Sequence, residues 1–320
     1  MISRLVPAAF VRWFARPYVA GHSIESVLRV AHRENCQHGH LTTIDLLGEA
    51  VEYATQVEEN IRTYERLIER LAHDSRFPDP QTRPSLSLKP SAFTFGDRES
   101  ASEPLARLIE TAHANRVQTT IDMECRQWTD FTLDLSIGLF ERGIDVGTVV
   151  QTRLHRTRSD LERFPAGMRV RLVIGIYNEP ASAAITDKLR MKQRLVSYGK
   201  RLLQRGVHVE FASHDETFIA RFVHEVAIHD PGKCEVQMLL GVPRDRCKHQ
   251  LDEGAFGVRV PVRIYAPFSM GAEHATAYLR RRLDENPSIA LLVLRNLLPS
   301  KRTGIASKGL PSASNTHSNQ

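Results

Sequence analysis

RVRLVIGIY, residues 169–177, reads as a strand with one residue out of place. Leu172, Val173, Ile174 and Ile176 supply the short apolar run of a strand covered on both faces, as parallel sheets require. Arg171 does not belong in such a run. Strand alternation puts Arg171, Val173, Gly175 and Tyr177 on one face, so the arginine points toward whatever that face encloses.

Six further runs resemble it: SLSLKPSAF (85–93), QTTIDMEC (118–125), DVGTVVQTRL (145–154), VHVEFAS (207–213), CEVQMLL (234–240) and GVRVPVRIYAPF (257–268). Between them lie amphipathic segments such as PLARLIETAHANR and DKLRMKQRLVSYGKRLLQRG, the second closed by Gly206 as a C-terminal stop. This alternation is the signature of an α/β protein with a parallel sheet. Its density approaches that of a closed (βα)8 barrel, whose usual size is about 250 residues. An eighth strand is not evident. SIALLVLRNLL (288–298) supplies either that strand or a helix, and run length alone does not decide.

Working outward, apolar positions from Leu47 to Leu71 recur every three or four residues and predict one long amphipathic helix. Thr42, Thr43 and Asp45 offer capping oxygens ahead of it, and SRFPDPQTRP (75–84) ends it. The expected organisation is an N-terminal helical arm over 1–75, a TIM-like barrel over 76–300 and a flexible tail over 301–320.

The chain has 320 residues, 42% hydrophobic and 25% charged, within the range of globular proteins. Its net charge of +6 is scattered among nearly as many acids, which argues for a solvated surface and against nucleic acid. No apolar run is long enough to span a membrane, and Arg4, Arg12, Arg16 and Pro17 break the opening segment. Phe10, Trp13 and Phe14 among those arginines leave room for peripheral membrane contact. The four cysteines show neither a disulfide framework nor zinc spacing, so a reducing cytoplasm is expected. CQHGH brings Cys36, His38 and His40 together without a second ligand pair, and no metal is expected.

Barrel chemistry gathers at the carboxyl ends of strands. There the sequence places Lys89, Asp122 and Glu124, Gln151, Arg171 and Tyr177, Ser213 and His214, Gln237, and Tyr265. Each alone is ordinarily a solvated strand end, but together they outline a site. HATAYLRRRLDEN (274–286) adds Tyr278, Arg281, Arg282 and Glu285 at helical spacing. Three arginines in a row ordinarily mark a solvated helix face. Alternatively they form a clamp, because guanidinium forks match carboxylate oxygens and Lys89 supplies a third cation.

These residues resemble the proline dehydrogenase family over roughly Leu41 to Leu298. The resemblance rests on DLLGE (45–49), SLKPS (87–91), IDME (121–124), VVQTRL (149–154), RLVIGIY (171–177), FASHD (211–215), VQMLLG (236–241), RIYAPF (263–268) and YLRRRLDEN (278–286), in that order. It implies a distorted (βα)8 barrel holding FAD and oxidising L-proline to 1-pyrroline-5-carboxylate, by hydride transfer from substrate C5 to flavin N5, with a quinone as electron acceptor. Carried over by position, Lys89, Arg281 and Arg282 hold the substrate carboxylate, Glu285 orients those arginines, and Tyr265 and Tyr278 wall the ring pocket. Asp122 and Arg171 fall on catalytic positions. Met123, Gln151, Arg171, Ile174, Gly175, Ile176, Ser213 and His214 fall on flavin-contacting ones. Arg171 is then explained as a cation that favours reduced flavin.

The sequence departs from the family at three places. VIGIY replaces the usual VKGAY, putting Ile174 where a lysine stands. Ser213 replaces threonine, and APFS (266–269) changes the loop over the substrate. No GxGxxG follows a strand, so a Rossmann site is excluded. Two alternatives stay open: a flavin oxidoreductase for another cyclic or N-alkyl amino acid, and a flavin-free barrel that binds an anionic ligand.

Overall fold

The computed structural model describes residues 16–49 and 51–271. Eight parallel strands close into a barrel in sequence order. They are β1 (Leu41–Leu46), β2 (Ser85–Leu88), β3 (Thr119–Ile121), β4 (Val146–Gln151), β5 (Arg169–Val173), β6 (His208–Ala212), β7 (Cys234–Leu239) and β8 (Val262–Phe268). Helices α1 (Ile24–His38), α2 (Ala54–His73), α3 (Ser102–Ala114), α4 (Thr129–Glu141), the short α5 (Thr157–Asp160), α6 (Lys188–Gln204), α7 (Glu216–Glu225) and α8 (Asp245–Asp252) accompany them.

The missing strand corrects the expected organisation. LTTIDL, read as a capping segment inside a helical arm, is β1, and it pairs with β8 from Leu41↔Arg263 to Leu46↔Phe268. The barrel therefore starts at Leu41 rather than after residue 75, and 288–298, which lies outside the described residues, is not needed to close it. The expected helix from Leu47 begins instead at Ala54, where Gln56 Oε1 accepts from the backbone N–H groups of Glu52 and Tyr53. A helical element does precede the barrel, as α1, with Ser23 as its N-cap and Gly39 closing it in the left-handed conformation.

Two apolar layers hold the frame. Strand residues facing outward, among them Ile44, Leu86, Val170, Leu172, Val209, Phe211, Val236 and Ile264, pack under the helices. On α2 the buried stripe is Tyr64, Leu67, Ile68 and Leu71. Burying Leu67, Ile68 and Leu71 stabilises the fold by about 1.5–3 kcal/mol each. Tyr64 adds direction: its hydroxyl donates to Ser87 O at 2.6 Å and accepts from Leu46 N–H at 3.3 Å, fixing the helix against β1 and β2.

The inward faces are different in kind. Barrel interiors are ordinarily filled by branched apolar side chains. Here Thr43, Asp45, Ser85, Ser87, Arg169, Arg171, Glu210, Glu235, Gln237 and Arg263 are all buried. Gly147 makes room for one of them, since a Cβ there would stand 3.2 Å from Arg169 Nη1 and 3.1 Å from Arg169 O.

Candidate active site

The carboxyl ends of the strands bring four sequence-predicted residues together. Lys89 follows β2, Asp122 follows β3, Arg171 stands inside β5 and Tyr265 inside β8. Arg171 Nη1 donates to Asp122 Oδ1 at 3.1 Å, and the Tyr265 hydroxyl donates to Asp122 Oδ2 at 2.7 Å. The Arg171 guanidinium lies 5.2 Å from the Tyr265 ring centroid and the Lys89 ammonium 5.9 Å from it, both cation–π distances. Arg171 is no misfit. Its strand face is the inside of the barrel, and the arginine crosses that space toward Ser87 and Asp122.

Lys89 is buried and donates to Asp45 Oδ1 and, at 3.4 Å, to Tyr265. Asp45 is the site residue that sequence reasoning missed. Its signal was the motif DLLGE, but beside two threonines it resembled a helix cap. Its second oxygen, Oδ2, is buried and has no hydrogen-bond partner among the described residues. Burial pushes the Asp45 carboxyl up to about 7 against the pull of Lys89. Burial would raise Asp122 too, but Arg171, Lys89 and the Tyr265 hydrogen bond reverse this and hold it below the usual carboxylate range. Burial disfavours the Lys89 ammonium, yet Asp45 and its neighbours carry it well above the ordinary lysine value.

Beside this cluster, Gln151 ends β4. Its Nε2 donates to Glu124 O at 2.7 Å, while its Oε1 is buried with no partner among the described residues. Gly175 lies just beyond β5 at φ 94°, and a Cβ there would fall 2.3 Å from Gln151 Oε1. The predicted alternation therefore stops at Val173, and Ile174, Gly175, Ile176 and Tyr177 belong to a loop. Ile174 packs partly against the apolar core, whereas Ile176 is exposed. Met123 is buried after β3. Glu124, next to it, takes both the N–H and the hydroxyl of Ser91, at 2.8 and 2.6 Å.

Ser213 and His214 follow β6. Ser213 Oγ accepts from Asp215 N–H at 3.1 Å, and His214 Nε2 accepts from Leu239 N–H at 2.9 Å. That bond assigns the ring proton to Nδ1. Burial and nearby Arg244 lower His214 to about 4, so its imidazole is neutral at pH 7. Tyr278, Arg281, Arg282 and Glu285 lie outside the described residues.

The CQHGH stretch has a structural use. His40 is buried with Glu34 Oε2 at 3.4 Å on one ring nitrogen and Asp252 Oδ2 at 3.3 Å on the other, which ties α1 to α8. Among the described residues no three His, Cys, Asp or Glu side chains converge to hold a metal.

A charged, aromatic-walled site at the carboxyl mouth of a closed (βα)8 barrel defines the class: a barrel enzyme with its chemistry on the βα loops. The proline dehydrogenase family model matches residues 27–179 and 177–293. The chain is 30% identical over 301 residues to "Proline dehydrogenase 1" of Bacillus subtilis, covering 93% of this chain and 95% of that one. It is 31% identical over 293 residues to the proline dehydrogenase of Deinococcus radiodurans, covering 89% and 90%. Among solved structures, proline utilization A from Bdellovibrio bacteriovorus, inactivated by N-propargylglycine, superposes with TM-score 0.74 at 23% identity. That match covers 85% of this chain and 33% of the other, so the chain spans about a third of that larger protein, and the likeness speaks to the fold. The chain belongs to the proline dehydrogenase family.

Proposed function

We propose that this chain oxidises L-proline to 1-pyrroline-5-carboxylate with FAD as its cofactor. One observation carries the reading: Lys89, Asp122, Arg171 and Tyr265, from four different strands or strand ends, meet at one mouth beside buried polar atoms unpartnered among the described residues. Gln151 Oε1 and Arg171 Nη2 are such orphans, an acceptor and a donor. Buried orphans are costly, and a planar heterocycle carrying both donors and acceptors along one edge suits them. The residues thus fit a flavin. When bound, FAD supplies the two-electron acceptor for a hydride from substrate C5.

The chain's own groups do the rest. Lys89 holds the substrate carboxylate, and Arg281 and Arg282 are assigned to complete that clamp, with Glu285 orienting them. The Tyr265 ring, fixed by its hydroxyl on Asp122, is one wall for the pyrrolidine, and Tyr278 is assigned the other. Arg171, fixed by Asp122, keeps positive charge at the mouth. Gln151, Met123, Ser213 and His214 line the cofactor side, and Gly175 lets the loop approach closely. Orientation of the reacting carbon by such a clamp is where the barrier falls. Electrons pass onward to a quinone. No described helix is long and apolar enough to cross a bilayer.

The test is spectroscopic. The purified chain is expected to be yellow and to bleach with L-proline in the absence of oxygen. Bleaching by another cyclic or N-alkyl amino acid but not by proline would move the substrate. A colourless chain that takes up no FAD would sink the flavin reading and favour the anion-binding barrel.

A further inference from the structure

Glu210, on β6, is a buried carboxylate standing between two arginines. Its Oε2 forms an ion pair with Arg171 Nε at 3.6 Å, beyond hydrogen-bond reach, and its Oε1 accepts from Arg169 Nη1 at 3.3 Å. Gln237 Nε2 donates to Oε2 at 2.7 Å. Strand register explains the arrangement, with Arg171 opposite Glu210 on one side and Glu235 opposite it on the other. Glu235 is not a rival partner for Arg171. Arg263 already takes both of its oxygens, at 2.7 and 3.0 Å.

Arg169 is itself shared, with Asp145 Oδ1 at 3.1 Å, and the Asp145 side chain is 46% exposed at the amino end of β4. A line of alternating charge therefore runs through the barrel: Asp122, Arg171, Glu210, Arg169, Asp145. Among the described residues the interior balances Lys89, Arg169, Arg171 and Arg263 against Asp45, Asp122, Glu210 and Glu235. In so dry a space one unbalanced charge acts strongly over several ångströms.

We propose that Glu210 is a positioning residue for Arg171: it holds the guanidinium from β6 while Asp122 holds it from β3, and its negative charge tempers the positive field Arg171 presents at the mouth. The inference rests on the flavin reading above. Neutralising Glu210 leaves Arg171 less compensated and favours the electron-rich, reduced cofactor, so the flavin potential rises. A carboxylate serving only Arg169 would affect stability and leave the potential unchanged.

The experiment is a dye-coupled redox titration of the full chain carrying FAD. Glu210→Gln is expected to shift the reduction equilibrium tenfold or more toward reduced flavin, about 30 mV upward for a two-electron couple. Glu210→Asp, which keeps the charge, should return toward the parent value. Glu110→Gln, on the outer face of α3 beside Arg142, should not move it. An unchanged potential in Glu210→Gln that binds FAD overturns the proposal. Should that variant fail to fold, Asp145→Asn decides instead. It leaves Arg169 wholly to Glu210 and should raise the potential by a smaller amount, and no rise overturns the proposal. A parent chain that binds no FAD overturns the functional reading and this inference together. A parent chain bleached by proline, with unmoved variants, overturns this inference alone.

Discussion

The two ends of the barrel interior are built from the same residue types and satisfy them differently. At the base, Arg263 grips both oxygens of Glu235 and also donates to Ser85, which is paired with Thr43 at 2.8 Å. Arg169 spends its donors on Asp145, Glu210 and Thr119 O. Among the described residues the side chains of Arg263, Glu235, Ser85, Thr43, Arg169, Asp145 and Glu210 have no orphaned buried atom. At the mouth, Asp45 Oδ2, Gln151 Oε1, Arg171 Nε and Arg171 Nη2 have no hydrogen-bond partner among the described residues. Buried polar groups that are fully paired lock a structure, and unpaired ones cost free energy until something completes them. The base is a keystone, and the mouth is left to be completed.

Substitutions that separate those roles sharpen the contrast, beginning with the base. Arg263→Met leaves Glu235 buried without a counter-ion, with Gln237 Nε2 still donating to it, and should cost about 3–5 kcal/mol of stability by urea denaturation. A loss under 1 kcal/mol there would erase the distinction. At the mouth, Lys89→Met should lower kcat/KM for proline by roughly 10- to 100-fold, the equivalent of a charged hydrogen bond of about 1.5–3 kcal/mol. Its stability should change little, because Asp45 can take up a proton. Equal losses of activity and of folding free energy would make Lys89 a second keystone.

Gly175→Ala is expected to cost about 1–3 kcal/mol through its left-handed backbone and to push Gln151 aside. Weakened FAD retention, read from the flavin released on dilution, is the measurement. Normal retention would show that Gln151 has no part in holding the cofactor. The last effect, spread over pH, concerns His214. Its folded value near 4 lies below the ordinary 6.5, so between those pH values the unfolded chain binds the extra proton. Stability is then fully present above about pH 6.5 and falls by up to roughly 1.4 kcal/mol per unit as pH drops toward 4. His214→Gln should flatten that slope in acid titrations followed by circular dichroism.

The polar interior also accounts for what could be read in the sequence. Strands such as RLV and CEVQML were legible because their outward residues are apolar, and Arg171 announced the site because a charge in such a run needs a reason. LTTIDL was lost for the opposite cause. Its inward Thr43 and Asp45 face a charged interior, so the alternation resembled the hydroxyls and carboxylate that precede a helix. Lys89, Asp122, Gln151 and Tyr265 were found by their place at strand ends. Glu210 and Arg263 were not, because nothing local marks a carboxylate and an arginine from distant strands as neighbours. Tertiary pairing alone brings them together.

Barrel closure has a consequence in time. β1 ends at Leu46 and its second partner, β8, ends at Phe268, so the seam joins segments more than two hundred positions apart. During synthesis β1 emerges early and can acquire β2, but its other edge has no mate until almost the whole barrel has left the ribosome. For that interval an open strand edge is exposed to misassembly. A circular permutant that opens the chain between β7 and β8 transfers that wait to the β7–β8 seam, so it should refold at about the rate of the natural order.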